Sequence, residues 1–228
     1  MARLLVGVGI GLAAAAHAGR AEAGAWPAPE EGQQILTTAV GVRDGYGVFE
    51  SSAYWEAPVA PATSLLIAPW SEAAPDLESG WRGEAVVGVK RAVFRDDERV
   101  MALQGGLYWR SDPPADCGEG GVEARWLGGR SFGRSGFANL EVAGRALDEG
   151  CPSIRLNLSA GYRPRENWLA MGEIFYDAPR EGDESLKIQL SLVRFGDDGG
   201  GIQVGFRSRL DGNAETALVI GLWGRPGG

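Results

Sequence analysis

Histidine is almost missing from this chain: one occurs in 228 residues, at His17. Its surroundings form a recognisable order. Arg3 supplies an early positive charge, Leu4 to Ala16 is an apolar run of thirteen residues, and Ala21-Glu22-Ala23 follows as a small-x-small triplet. That is the layout of a secretory signal peptide. The expectation is a signal peptide over 1–23 and a mature domain over 24–228, with a cut after Ala18 as the alternative. The mature chain would then hold no histidine, which excludes Ser-His, Cys-His and Asp-His catalysis and every histidine metal site.

Long hydrophobic runs are also missing. Beyond the first segment nothing approaches the ~18 consecutive apolar residues of a transmembrane helix. Blocks of basic residues are absent too. Without Arg3, Arg20 and Glu22, the 22 basic and 30 acidic side chains fall to 20 and 29, a net charge of −9. Nucleic acid is therefore not an expected partner. Cysteine is scarce, with only Cys117 and Cys151. In an exported protein a disulfide is the default for such a pair, two free thiols being the alternative. An exported chain without a membrane helix can enter a membrane only as a β-barrel.

What the chain does have is alternation. SIRLNLSAGYRP, 153–164, sets Ile154, Leu156, Leu158, Ala160 and Tyr162 against Arg155, Asn157, Ser159, Gly161 and Arg163. A period of two makes a strand with one apolar and one polar face. Twelve such segments recur between turn signals: 33–43, 48–57, 64–70, 80–94, 100–110, 122–132, 137–147, 153–164, 168–178, 185–195, 202–210 and 216–225. Most are ten or eleven residues long, beyond the ~5–6 usual in globular sheets and close to the ~9–11 needed to cross a bilayer at a tilt. Glycine is frequent, 36 residues, and much of it lies inside strands, where a curved barrel uses it to relieve crowding.

The expected fold is all-β: a single antiparallel up-and-down transmembrane barrel of about twelve strands. If the first strand runs outward, the turns GRSG and PREN are periplasmic and the longer connections after strands three and five are extracellular, the usual asymmetry of such barrels. Trp55, Tyr162, Trp168 and Trp223 then fall at one interface, and Trp70, Trp81, Trp109 and Tyr176 at the other, as two aromatic belts.

Turning the polar alternates inward places Glu84, Lys90, Glu123, Arg125, Glu141, Arg145, Arg155, Asn157, Glu173, Lys187, Gln189, Arg207 and Arg209 in the lumen, along with Asn139, Ser159, Arg163, Ser191 and Gln203. Centring the sixth hairpin on GRSG pairs residues whose numbers sum to about 268. That sets Glu123 opposite Arg145 and brings Cys117 to Cys151. A mixed-charge lumen is either a water-filled pore for small polar solutes or a salt-bridged filling of a narrow barrel.

The chain resembles a family of bacterial outer-membrane proteins related to the phenol-degradation meta-pathway group. The resemblance is carried by GAWPAPEEGQQI, FESSAYWEA, SGWRGEAVVGVKRAVF, VEARWLGGRSF with GFANLEVAGRAL, SIRLNLSAGYRPRENWLAMGEIF, SLKIQLSLVRF and ALVIGLWGR. It implies a twelve-stranded outer-membrane barrel and transfers no functional residue. Such barrels usually end on an aromatic residue read by the barrel assembly machinery; here GRPGG follows Trp223.

The function expected is a channel or passive transporter for small polar solutes, or a structural membrane barrel. Outer-membrane lipid and the assembly machinery are the expected partners, and no cofactor, metal or catalytic residue is expected. The alternative is a soluble periplasmic barrel or sandwich that binds a ligand.

Overall fold

A computed structural model describes residues 24–113, 116–133, 135–148, 151–179, 184–212 and 214–225. The expected signal peptide, 1–23, lies outside the described residues.

The described residues form twelve strands: β1 (Gln33–Arg43), β2 (Tyr46–Ala60), β3 (Thr63–Ala73), β4 (Trp81–Arg95), β5 (Arg99–Arg110), β6 (Gly120–Phe132), β7 (Gly136–Leu147), β8 (Cys151–Arg165), β9 (Trp168–Pro179), β10 (Ser185–Phe195), β11 (Gly201–Arg209) and β12 (Glu215–Gly224). Each pairs antiparallel with its neighbours in sequence, and β1 pairs with β12 to close the barrel. No edge strand is left, so every ladder finds partners without water, as a lipid environment requires.

Turn chemistry sets the hairpins. Asp44 and Gly45 both have positive φ, +49° and +86°, the type I′ geometry that matches strand twist. The connections on that rim include 74–80 and 111–119, whereas 61–62, 96–98, 133–135 and 166–167 on the opposite rim are short. The rim with short turns is also where β1 begins and β12 finishes.

Strand glycines let the wall bend. Gly88 and Gly106 are register partners facing inward, and a Cβ on either would come within about 2.6 Å of a carbonyl oxygen of the other strand. On the outer surface a Cβ on Gly128 would strike the Trp126 ring at 2.5 Å, so the ring lies flat over that glycine.

The two faces are inverted relative to a soluble barrel. Leu107, Leu140, Leu158, Leu190, Ile202, Val204, Leu218, Ile220 and Leu222 are exposed on the outside, while Glu56, Glu72, Glu84, Lys90 and Glu123 are buried inside. A broad apolar outer surface suits lipid and would aggregate in water. This disfavours the soluble alternative.

Candidate functional site: the barrel lumen

The lumen has a floor, a latch and a chamber. The floor lies at the rim where β1 begins. There the inward positions of five strands turn apolar: Val100 and Ala102 on β5, Leu127 on β6, Phe137 on β7, Leu169 and Met171 on β9, Val193 on β10. They pack around Ala25 and Trp26, from the segment preceding β1, with Phe195 and Trp223 against the same cluster. Gly129 creates the slot for this segment, since a Cβ there would sit 2.4 Å from the Trp26 ring. Alternation turns polar residues inward; at this rim the structure instead places an apolar core, filled by the chain's own first described residues.

The latch is Lys90 with Glu56. The Lys90 ammonium donates to the carbonyls of Gly24 (3.0 Å) and Trp26 (2.9 Å) and pairs with Glu56 at 2.6 Å. Glu56 also accepts from the Ala28 amide, the Gln33 side chain and the Tyr54 hydroxyl. Lys90 is 2% and Glu56 0% exposed, so a buried ion pair with filled valences holds the segment inside the wall.

Above lies a chamber of about 730 Å³. On one wall Glu84 binds Arg145 (2.9 Å) and Arg155 (2.8 Å), Glu123 binds Arg145 (2.7 Å) and Arg125 (3.1 Å), Glu141 binds Arg125 (2.6 Å), and Asp177 binds Arg155 (2.7 Å). On the facing wall Glu72 pairs with Arg43 and Arg82, Glu215 with Lys187 (2.7 Å), and Glu50 with Arg207 (2.7 Å) and Lys187 (3.4 Å). The Arg145 guanidinium also stacks over the Tyr108 ring at 4.2 Å. Nine basic and seven acidic residues line the chamber directly, and Glu72 and Glu141 are tied in through lining arginines.

The sequence-based lumen residues all project inward. Glu84, Glu123, Arg125, Arg145, Arg155, Asn157, Glu173, Lys187, Gln189, Arg207 and Arg209 line the chamber, Glu141 is tied into it through Arg125, and Lys90 sits below in the latch. Glu123 and Arg145 are register partners as the hairpin count required. Cys117 and Cys151 form a disulfide with Cα atoms 5.8 Å apart. Cys151 is the first residue of β8 and pairs with Leu147, while Cys117 lies in the connection ahead of β6.

Two aromatic assignments change. Trp70 points inward, its indole N–H donating to Glu50 at 3.4 Å with Arg82 over its ring. Trp223 also points inward, donating to Gln203 at 2.8 Å and meeting Phe195 edge-on. Strand parity explains both: Trp70 shares a face with Ser64 and Glu72, and Trp223 with Glu215 and Val219. The remaining belt residues follow outward parity. Trp81, Trp109 and Tyr162 are exposed on the outer face. Trp168 lies under the Arg194 guanidinium, Tyr176 donates to Glu184, and Trp55 pairs with Gln34 and Ile67. Sequence reasoning missed Arg43, Glu50, Glu56, Glu72 and Glu215, each an isolated charge at an inward position of β1, β2, β3 or β12.

A closed antiparallel barrel with a lipid-facing exterior and a charged lumen defines the architecture of outer-membrane β-barrels. No protein-family profile and no curated protein matches the chain. Solved structures do. An outer-membrane channel from Pseudomonas putida F1 aligns with TM-score 0.63 at 8% identity, over 88% of this chain and 96% of that one. The NanC porin aligns with TM-score 0.61 at 9% identity, over 82% and 98%. A KdgM porin, solved in complex with disordered oligogalacturonate, aligns with TM-score 0.59 at 9% identity, over 83% and 97%. At these identities the likeness is one of fold.

Proposed function

We propose that this chain is a bacterial outer-membrane channel for small polar solutes, held in its closed state by its own first segment. The observation that carries the reading is the charged chamber enclosed by an apolar outer wall. A structural barrel has no need of 730 Å³ of space walled by ion pairs. Near balance of basic and acidic groups selects for polarity more than for one sign of charge. The short-turn rim faces the periplasm, so the plug closes the inner mouth and the chamber opens outward. Residues 1–23 act as the cleaved export signal, and outer-membrane lipid and the barrel assembly machinery are the partners. The last outward side chain of β12 is Leu222, so an assembly signal read from this strand would rest on it and not on an outward aromatic. Membership of the phenol-degradation meta-pathway group is part of this reading and rests on the sequence segments quoted above.

The test is proteoliposome swelling with a size series of neutral and zwitterionic solutes, alongside fractionation of the producing cells. Uptake that falls off with solute size, by a protein that needs detergent for extraction, supports the proposal. A detergent-independent periplasmic protein, or folded barrels that pass nothing, would refute it.

A further inference from the structure

The inward carboxylates of the described residues are all ion-paired, with one exception. Glu173 forms no salt bridge among the described residues; the Gln189 amide donates to it at 2.8 Å. Across the same wall Glu173 neighbours Ser159 in register, and Ser159 neighbours Asn139. Glu141 is one step further along β7 on the same face.

Gly24 comes to rest against these groups. A Cβ placed on it would fall 2.9 Å from a Glu141 carboxylate oxygen and 3.3 Å from Nδ2 of Asn139. Three carboxylates, Glu56, Glu141 and Glu173, lie here with two cations bonded to them, Lys90 and Arg125; Arg207 also acts on Glu173 but is bonded to Glu50. Arg125 also contacts Glu123, but Glu123 has Arg145 as its own partner. The wall is therefore one cation short, at the place where Gly24 sits. Gly24 is also the residue directly after Ala21-Glu22-Ala23.

We infer that cleavage after Ala23 makes the chain's own α-ammonium the missing cation: the new terminus on Gly24 seats against Glu141 and Asn139, on the wall that also carries Glu173, and locks the plug. In the cleavage, water breaks the Ala23–Gly24 amide. Its hydroxyl joins the Ala23 carbonyl carbon and a proton goes to the Gly24 nitrogen; the products ionise to a carboxylate and an ammonium. A peptide nitrogen has one donor and no charge, whereas the ammonium has three donors and a full charge in a poorly hydrated site. Cutting after Ala18 would leave five further residues, including Arg20, to be accommodated at the same spot. The inference rests on the signal-peptide reading and on the plugged geometry; it does not require that the barrel conduct.

The experiment uses mature protein extracted from outer membranes. Intact mass identifies the first residue. A small acylating reagent at neutral pH then reports the accessibility of the α-amine, read by peptide mapping. The mapping is clean because Lys90 and Lys187 are the only lysines in the chain. The expected results are a chain beginning at Gly24 and an α-amine acylated about tenfold more slowly than in the unfolded protein, the change that one unit of ammonium stabilisation brings. Glu141→Gln should abolish most of that protection in a barrel that still shows heat-modifiable migration. Glu173→Gln, which breaks none of the wall's side-chain ion pairs, should lower it severalfold, and it carries the test if Glu141→Gln fails to fold. A chain beginning elsewhere, or an α-amine as reactive folded as unfolded, or protection unchanged in both variants, would overturn the inference. A protected terminus in a non-conducting barrel would instead count against the channel reading alone.

Discussion

The Lys90 ammonium donates to the Trp26 carbonyl at 2.9 Å, joining the wall of β4 to the segment that fills the barrel floor. The same ammonium neutralises Glu56, so one side chain both anchors the plug and satisfies a buried carboxylate.

Lys90→Met should therefore act in two ways. It leaves Glu56 buried without its cation, a loss of about 3–5 kcal/mol for a broken buried pair. The temperature at which the folded form disappears on heat-modifiable gels should drop. Lys90→Met with Glu56→Gln should recover much of that stability, because an apolar group and a neutral amide replace the pair. The plug should remain loosened in the double variant, seen as a larger conductance than wild type.

Gly129 and Trp26 give a steric counterpart. A Cβ at 129 would stand 2.4 Å from the Trp26 ring, too close for any real contact. Gly129→Val should expel the ring from its slot without touching an ion pair. The expected readout is faster proteolysis within 24–32 in folded protein. Trp26→Gly should have the same effect on proteolysis and, combined with Gly129→Val, add little to it.

The Cys117–Cys151 disulfide spans 34 residues that already form the β6–β7 hairpin. The chain-entropy effect of such a loop is at most about 4 kcal/mol. Reduction should leave the barrel intact and free the connection 111–119. Limited proteolysis of reduced, detergent-solubilised protein should cut there first, with the folded gel mobility of the core retained.

Arg155 bridges Glu84 and Asp177 on the chamber wall and is partly exposed to the lumen. Arg155→Glu replaces the central cation with a third carboxylate. The cation-to-anion permeability ratio should rise, by about tenfold at the lower end of what field focusing in charged clefts achieves. Reversal potentials across a salt gradient measure it; an unchanged ratio in a conducting protein would refute the placement of Arg155 beside the solute path.

Most of the barrel wall was legible because its signal is local. Alternation in SIRLNLSAGYRP and its counterparts fixes which side chains share a face, and turns such as Asp44-Gly45 and GRSG fix register; Glu123 opposite Arg145 followed from counting alone. The floor was not legible in the same way. VMALQ, FANL and WLAM carry apolar residues at both parities, which marks strands covered on both faces. Simple alternation accounts for only the lipid side of that signal. Trp26 lies in GAWPAPEE, whose prolines read as a loop; nothing local says that it enters the lumen. The one pointer was Lys90, a lysine at an inward position whose register partners, Ser64 and Gln104, carry no charge to match it. Trp70 and Trp223 were placed by nearness to strand ends, where parity already set them inward.

The central claim is that the charged chamber is a conduit closed from below by residues 24–32. Single-channel recording in planar bilayers, comparing the mature chain with one lacking 24–32, tests it most directly. The account predicts small discrete steps for the mature chain and clearly larger ones for the truncated chain. Silence from both, with folded barrels verified on heat-modifiable gels, would contradict it.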